Sequence, residues 1–201
     1  METWLLIVLG TLIVVFIFIF GVLTHAGYFS DLRIRTSLPV SLPRRAAYLI
    51  HRGPYKEVCT PLERITAIGR HQKIFCVFYD DPEKVPPDKL RSIVGCVLPD
   101  TPDSTVEKSL KASGCSVWTF PQCGKAVITE FPCRSFVSTI IAPGIVYPAL
   151  KRYFGEFDLK CVGPILEIYG DGYTQYVAPL ENNEGFFVPE IAQENESKKS
   201  Q

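Results

Sequence analysis

No Asp, Glu, Lys or Arg occurs between Thr3 and Ser30, and that gap excludes a plain cytosolic globule. The chain also lacks net charge, because 21 acidic residues cancel 21 basic ones. Nothing in that balance marks a nucleic-acid binder, so no direct nucleic-acid partner is expected. No two of the seven cysteines are spaced C-x-x-C, and the three histidines stand apart at 25, 51 and 71. No zinc constellation follows, and no metal or other cofactor is expected. Glycine-rich phosphate loops are missing too; Gly163-Pro164 and Gly170-Asp171-Gly172 read as turns. His51 and His71 have no Ser or Cys with a third orienting group nearby in sequence, so no triad is read. The composition, 21% charged and 47% hydrophobic, excludes collagen, coiled coil and disordered chain. Its 201 residues suffice for one ordinary domain and an appendage.

What is present begins with the apolar run Leu5 to Leu23, broken only by Gly10, Thr11 and Gly21. As a helix it reaches roughly 28 Å, close to the hydrocarbon thickness of a bilayer. A buried core helix would carry a polar stripe, and this segment has none. A signal peptide is the other reading, since Thr24-His25-Ala26 offers small residues at peptidase spacing. The run exceeds the usual signal length, however, and Glu2 stands where basic residues belong. The expectation is an uncleaved anchor over residues 5–23, with residues 1–4 lumenal. Arg33, Arg35, Arg44 and Arg45 follow it, opposed by Asp31, and place everything after the anchor in the cytosol.

All seven cysteines lie beyond the anchor, and an odd number fits poorly with a fully paired extracellular framework. Most alternate with apolar residues, as in Phe75-Cys76-Val77, and read as buried reduced thiols. Asn195-Glu196-Ser197 is a glycosylation sequon that a cytosolic tail would leave unused. Lys198 and Lys199, in the final Lys-Lys-Ser-Gln, resemble a dilysine retrieval signal. That signal implies coatomer as a partner and residence in the endoplasmic-reticulum membrane.

Ser37 to Pro43 holds two prolines and closes a juxtamembrane linker over residues 24–43. A domain over 44–180 then repeats strands and helices. Arg45–Ile50 reads as a strand, Tyr55–Ile68 as a helix, and Lys73–Tyr79 and Ile93–Leu98 as strands. After a connecting helix at Val106–Ala112 and the stretch Ser116–Phe120, the order returns. Lys125–Phe131 is a strand, Ile145–Phe154 a helix, Ile165–Tyr169 and Tyr173–Val177 strands. Phe75–Tyr79 aligns with Ile165–Tyr169 at an offset of 90, and Val94–Pro99 with Thr174–Pro179 at an offset of 80. Two β-α-β-β units sharing one core, with helices on one face of a mainly antiparallel sheet, make an α+β fold. Residues 181–201 read as a polar C-terminal tail.

Three runs carry a resemblance. They are His51-Arg52-Gly53-Pro54-Tyr55, then Tyr79-Asp80-Asp81-Pro82 with Pro86-Pro87-Asp88-Lys89-Leu90-Arg91, then Leu166-Glu167-Ile168-Tyr169. Together they resemble the GyrI-like domain of bacterial gyrase inhibitors and drug-sensing regulators, built as two β-α-β-β halves. With an anchor in front and Phe187-Val188-Pro189-Glu190 behind, the chain resembles animal endoplasmic-reticulum autophagy receptors that carry this domain. The likeness implies a reticulophagy receptor that reaches lipidated ubiquitin-like proteins of the autophagosome through an aromatic-x-x-aliphatic tail motif. Beyond Phe187 no aromatic remains to form that motif. Phe29-Ser30-Asp31-Leu32 fits the bare pattern, but its place beside the membrane suits interfacial anchoring of Phe29 and Leu32 better. The likeness also implies the valosin-containing AAA ATPase as a partner in clearing protein–DNA crosslinks, and no residue here is assignable to that task.

A second implication is chemical, because GyrI-like domains bind small cationic aromatic molecules between their halves, and some are hydrolases. Strand alternation puts Ile165, Glu167 and Tyr169 on one face and Leu166 and Ile168 on the other. Glu167, aligned with Val77 in the first half, is a carboxyl in an apolar strand and should titrate high. Glu167, Tyr169, Tyr79 and Trp118 are the ligand-groove candidates. No catalytic residue is assigned: the chain is expected to bind or receive rather than catalyse, with a Glu167-dependent hydrolase the weakest alternative.

Overall fold

The computed structural model describes residues 2–37, 42, 44–70, 72–99, 101, 104–159 and 163–199. His71, Cys161 and most of the proline-containing linker therefore lie outside the described residues. For Lys198 and Lys199 only the backbone is described.

Helix α1 spans Glu2–Ala26 and reaches about 37 Å at 1.5 Å per residue. Its stretch Thr3–Ala26 is long and apolar enough to cross a membrane, and every side chain from Thr3 to Gly21 is exposed. The helix stops at Gly27, whose φ of 90° an L side chain rarely adopts. The Tyr28 N–H donates to the Leu23 carbonyl at 3.0 Å and seals the end. A Cβ at Gly27 would lie 3.2 Å from Pro132, so the glycine lets the exit turn press onto the domain. Within the stretch read as linker, Arg35–Ser37 forms a short strand, β1.

The remaining elements are β2 (Arg45–Arg52), α2 (Cys59–Ile68), β3 (Ile74–Phe78), β4 (Arg91–Val97), α3 (Thr105–Ala112) and β5 (Ser116–Thr119). They continue with β6 (Ala126–Pro132), α4 (Phe136–Glu156), β7 (Ile165–Gly170), β8 (Tyr173–Pro179) and α5 (Pro189–Lys199). The eight strands form one sheet in the order β1-β6-β8-β7-β3-β4-β2-β5, and every neighbouring pair is antiparallel. The expected α+β architecture is the one observed. β2-α2-β3-β4 and β6-α4-β7-β8 are its halves, each with its second strand at the centre of the sheet.

The halves meet where β3 pairs with β7, and the middle of that ladder sets Cys76 opposite Glu167. A twofold axis normal to the sheet at this seam exchanges those two positions and keeps each on its own face. The offset of 90 is thereby corrected to 91. Val77 lies in the core on the opposite face, with Phe75, Leu166 and Ile168, so Cys76 is the counterpart of Glu167. The contrast between the halves survives the shift, because the first half holds a thiol at that position and no carboxylate.

Helix α4 is longer than the expected 145–154. Ser135 caps it, accepting from the Ser138 N–H while the Ser138 hydroxyl accepts from the Ser135 N–H. The helix then continues through Pro143 and Pro148, each of which removes an interior N–H. Both prolines are exposed, which leaves the freed carbonyls near solvent. Apolar residues Ala142, Val146 and Leu150 recur on one side and pack on the sheet with Phe131 and Tyr176. Tertiary burial outweighs the local breakers.

Helices α2, α3 and α4 cover one face of the sheet. The other face is covered by the C-terminal segment. Phe186, Val188 and Ile191 are fully buried against Phe75, Ile93, Leu166 and Val177, and Tyr79 stacks on Phe187 at 5.1 Å. The residues read as a polar tail thus contribute a wedge of large apolar side chains to the core.

Candidate functional site

The residue with most chemistry in the central strands is Glu167. It sits at the centre of β7 on the helix-covered face, 7% exposed. Its Oε1 accepts from the Tyr147 hydroxyl of α4 at 2.8 Å. Its Oε2 accepts from the Tyr169 hydroxyl at 3.1 Å, and the Cys76 sulfur lies 3.6 Å from that same hydroxyl. Loss of hydration pushes the Glu167 carboxyl up, while the two phenol donors pull it back. Tyr147 and Tyr169 are held well above the usual phenol range, chiefly by burial and by the adjoining carboxylate. Two hydroxyl donors facing a buried acid can hold a proton, or a cation if space opens beside it.

That space is filled here. Tyr147 meets Tyr176 edge-on at 6.0 Å. On the other side of the seam, Tyr55 meets Phe78 edge-on at 4.7 Å and donates to the Asp80 carbonyl. A depression of about 410 Å³ lies on α2 around Leu62, Thr66 and Arg70. Another of about 220 Å³ opens beside Tyr169 and Tyr173, lined also by Lys73 and Gln175. Neither is lined by Glu167. Among the described residues no group of three or more His, Cys, Asp or Glu side chains could hold a metal ion.

The four groove candidates divide between the faces of the sheet. Glu167 and Tyr169 meet on the helix side. Tyr79 and Trp118 pack against the opposite core, where the Tyr79 hydroxyl donates to the Phe186 carbonyl at 3.2 Å. The structure does not bring all four together. Tyr147 and Cys76 complete the cluster and were not singled out from the sequence. Tyr147 sits between prolines in a helix longer than its local pattern suggests, and Cys76 was masked by the one-residue slip of the repeat. Phe29 lies against Phe20 and Tyr28 at 5.3 and 5.1 Å, and Leu32 packs against the α4 core. Lys198 and Lys199 end α5.

A second polar cluster fastens α5. Arg91, 9% exposed, makes two side-chain bonds to Asp80 at 2.7 and 3.0 Å. It also donates to Asn195 Oδ1 at 2.7 Å and lies 3.6 Å from Glu194. Arg52 pairs with Glu194, and the Tyr48 hydroxyl donates to Glu190 at 2.8 Å. The acceptor oxygen of the sequon residue is therefore engaged in the fold.

No protein-family model matches the chain. Human testis-expressed protein 264 is 30% identical over 170 residues, which is 83% of this chain and 54% of that protein. The mouse homolog is 31% identical over the same share of this chain and 55% of its own length. The chain thus spans about half the length of the curated relatives it matches. Among solved structures, the EcmrR C-terminal domain aligns over 74% of this chain and 96% of its own, with 11% identity and a TM-score of 0.47. Across the matched 170 residues, the chain is a relative of testis-expressed protein 264.

Proposed function

We propose that this chain is a single-pass endoplasmic-reticulum membrane protein with a cytosolic GyrI-like domain, acting as a receptor-like module in reticulophagy. The observation that carries the reading is the docking of a membrane-length helix on an α+β domain, in a chain similar to testis-expressed protein 264 over 170 residues. In this reading residues 1–4 are lumenal. The partners are the reticulum membrane and, through a further docking element, ubiquitin-like proteins of the autophagosome. Recruitment of the valosin-containing ATPase, with a role in crosslink repair, follows from the same likeness and has no residue assigned to it. Return by coatomer through Lys198 and Lys199 belongs to the same proposal. The test is starvation-dependent loss of the full chain into lysosomes, compared with a chain lacking residues 1–30. Loss that needs residues 1–30 supports the reading; turnover indifferent to starvation overturns it.

One observation favours a second reading, a membrane-tethered binder of small aromatic cations. Glu167 is a buried acid with two phenol donors at the junction of the halves, and packing alone does not require a carboxyl there. Tyr147 and Tyr169 would then part to admit the ligand. Titration of the full chain with a fluorescent aromatic cation tests this. Saturable binding that Glu167→Gln abolishes favours it, and equal or absent binding by both chains removes it.

A further inference from the structure

We infer that the first two turns of α4 lie in the headgroup layer of the membrane that α1 crosses, as a second and peripheral contact of the domain with lipid. From Ser135 to Leu150 the helix has no charged residue, although much of its outer face is left uncovered by the described residues. Phe136 is 78% exposed and Ile140 61%, and Pro143 and Gly144 continue the same exposed stripe. Their spacing of three to four residues keeps them on one side of the helix. A soluble surface seldom leaves contiguous large apolar side chains uncovered.

The fold indicates what covers them. α4 starts four residues after Pro132, the residue on which the Gly27 exit turn of α1 packs, and α1 packs against α4. Ala26 is fully buried at this junction, and β1 secures the chain to β6 a few residues later. The helix that crosses the bilayer is thus short-coupled to α4, without a free spacer. Tyr28 and Phe29, 50% and 57% exposed, add interfacial aromatics at the same place. Arg134, Arg33 and Arg35 flank this end, with Asp31 the opposing acid, which suits anionic headgroups. An apolar stripe flanked by arginines is the pattern of a helix seated about 5–10 Å into the headgroup–acyl boundary.

The inference rests on the membrane reading of α1, and the experiment separates the two. The full chain is reconstituted into phosphatidylcholine–phosphatidylserine vesicles, with or without brominated acyl chains, which quench nearby tryptophan. In Trp118→Phe, Trp4 reports whether α1 is inserted. With Trp4→Phe and Trp118→Phe combined, Phe136→Trp reports α4. Lys108→Trp in the same background reports α3, which packs toward the opposite edge of the sheet. Both introduced indoles occupy exposed sites, and circular dichroism checks that each chain folds. The expected result is a blue-shifted emission from the Phe136→Trp chain that falls by about half on brominated lipid, while the Lys108→Trp chain is unmoved. Quenching at Trp4 with none in the Phe136→Trp chain overturns the inference and leaves the anchor intact. A blue shift in the Phe136→Trp chain without lipid quenching also overturns it, since a protein then covers the stripe. No quenching at Trp4 would bring down the membrane reading itself, and the inference with it.

Discussion

Glu167 shows how one carboxyl can set a pH dependence for the fold. Burial raises its pKa above the ordinary 4.5, so the native state holds the proton more tightly than the unfolded chain. Its contribution to stability is complete below that ordinary value and is lost as pH rises through the raised one. Glu167→Gln should flatten this part of a plot of urea stability against pH. Glu167→Ala strands the Tyr147 and Tyr169 hydroxyls and should cost about 1–3 kcal/mol. Gly95 illustrates a steric constraint. A Cβ there would meet Phe75 Cζ at 2.4 Å and the Ala47 carbonyl at 2.7 Å, so Gly95→Ala should lower stability by about 1–3 kcal/mol in chemical denaturation. The thiols give a third check. Cys76, Cys96, Cys115 and Cys123 are buried, while Cys59 is exposed and Cys133 half-buried. Burial pushes the Cys96 thiol up to about 11 and Cys76 higher still. A chromogenic disulfide reagent should find Cys59 and Cys133 first, and the four buried thiols only on unfolding. Cys161, outside the described residues, is replaced by serine in that assay.

Among the elements, α5 is fastened by Arg91 together with Arg52 and Tyr48. Arg91→Ala would leave the Asp80 carboxylate without its guanidinium, keeping only the backbone N–H of residue 91, and remove the bond to Asn195. It should cost about 3–5 kcal/mol, with amide exchange rising first along Ile191 to Glu194. A smaller, global loss without that local exchange would contradict the role given to Arg91. Most strands were legible in the sequence, because alternation such as Ile165-Leu166-Glu167-Ile168-Tyr169 records a sheet with two buried faces. The first half of α4 was not, since Pro143 signals a break locally and only packing of residues such as Ala142 and Val146 carries the helix through it. β1 is three residues long and exists through its pairing with β6, which no local pattern encodes. The wedge of Phe186, Val188 and Ile191 was hidden by the polar residues around it. The seam around Glu167 was half legible: strand parity revealed Glu167 and Tyr169, whereas Tyr147 arrives from a helix 20 residues earlier in the chain.

At the scale of the whole molecule, a membrane-length helix is coupled through one glycine turn to a sheet whose two halves meet at an acid. That coupling makes orientation the property on which the receptor reading stands. In the proposed reading the arginines after α1 put the domain on the cytosolic side. The most direct measurement is protease protection of microsomes carrying the full chain tagged within the domain, with glycosylation at Asn195 scored on the same samples. The account predicts a tag digested without detergent, an unglycosylated chain and a short protected fragment containing α1. A tag that survives until detergent is added, on a glycosylated chain, would put the domain in the lumen and contradict the receptor reading.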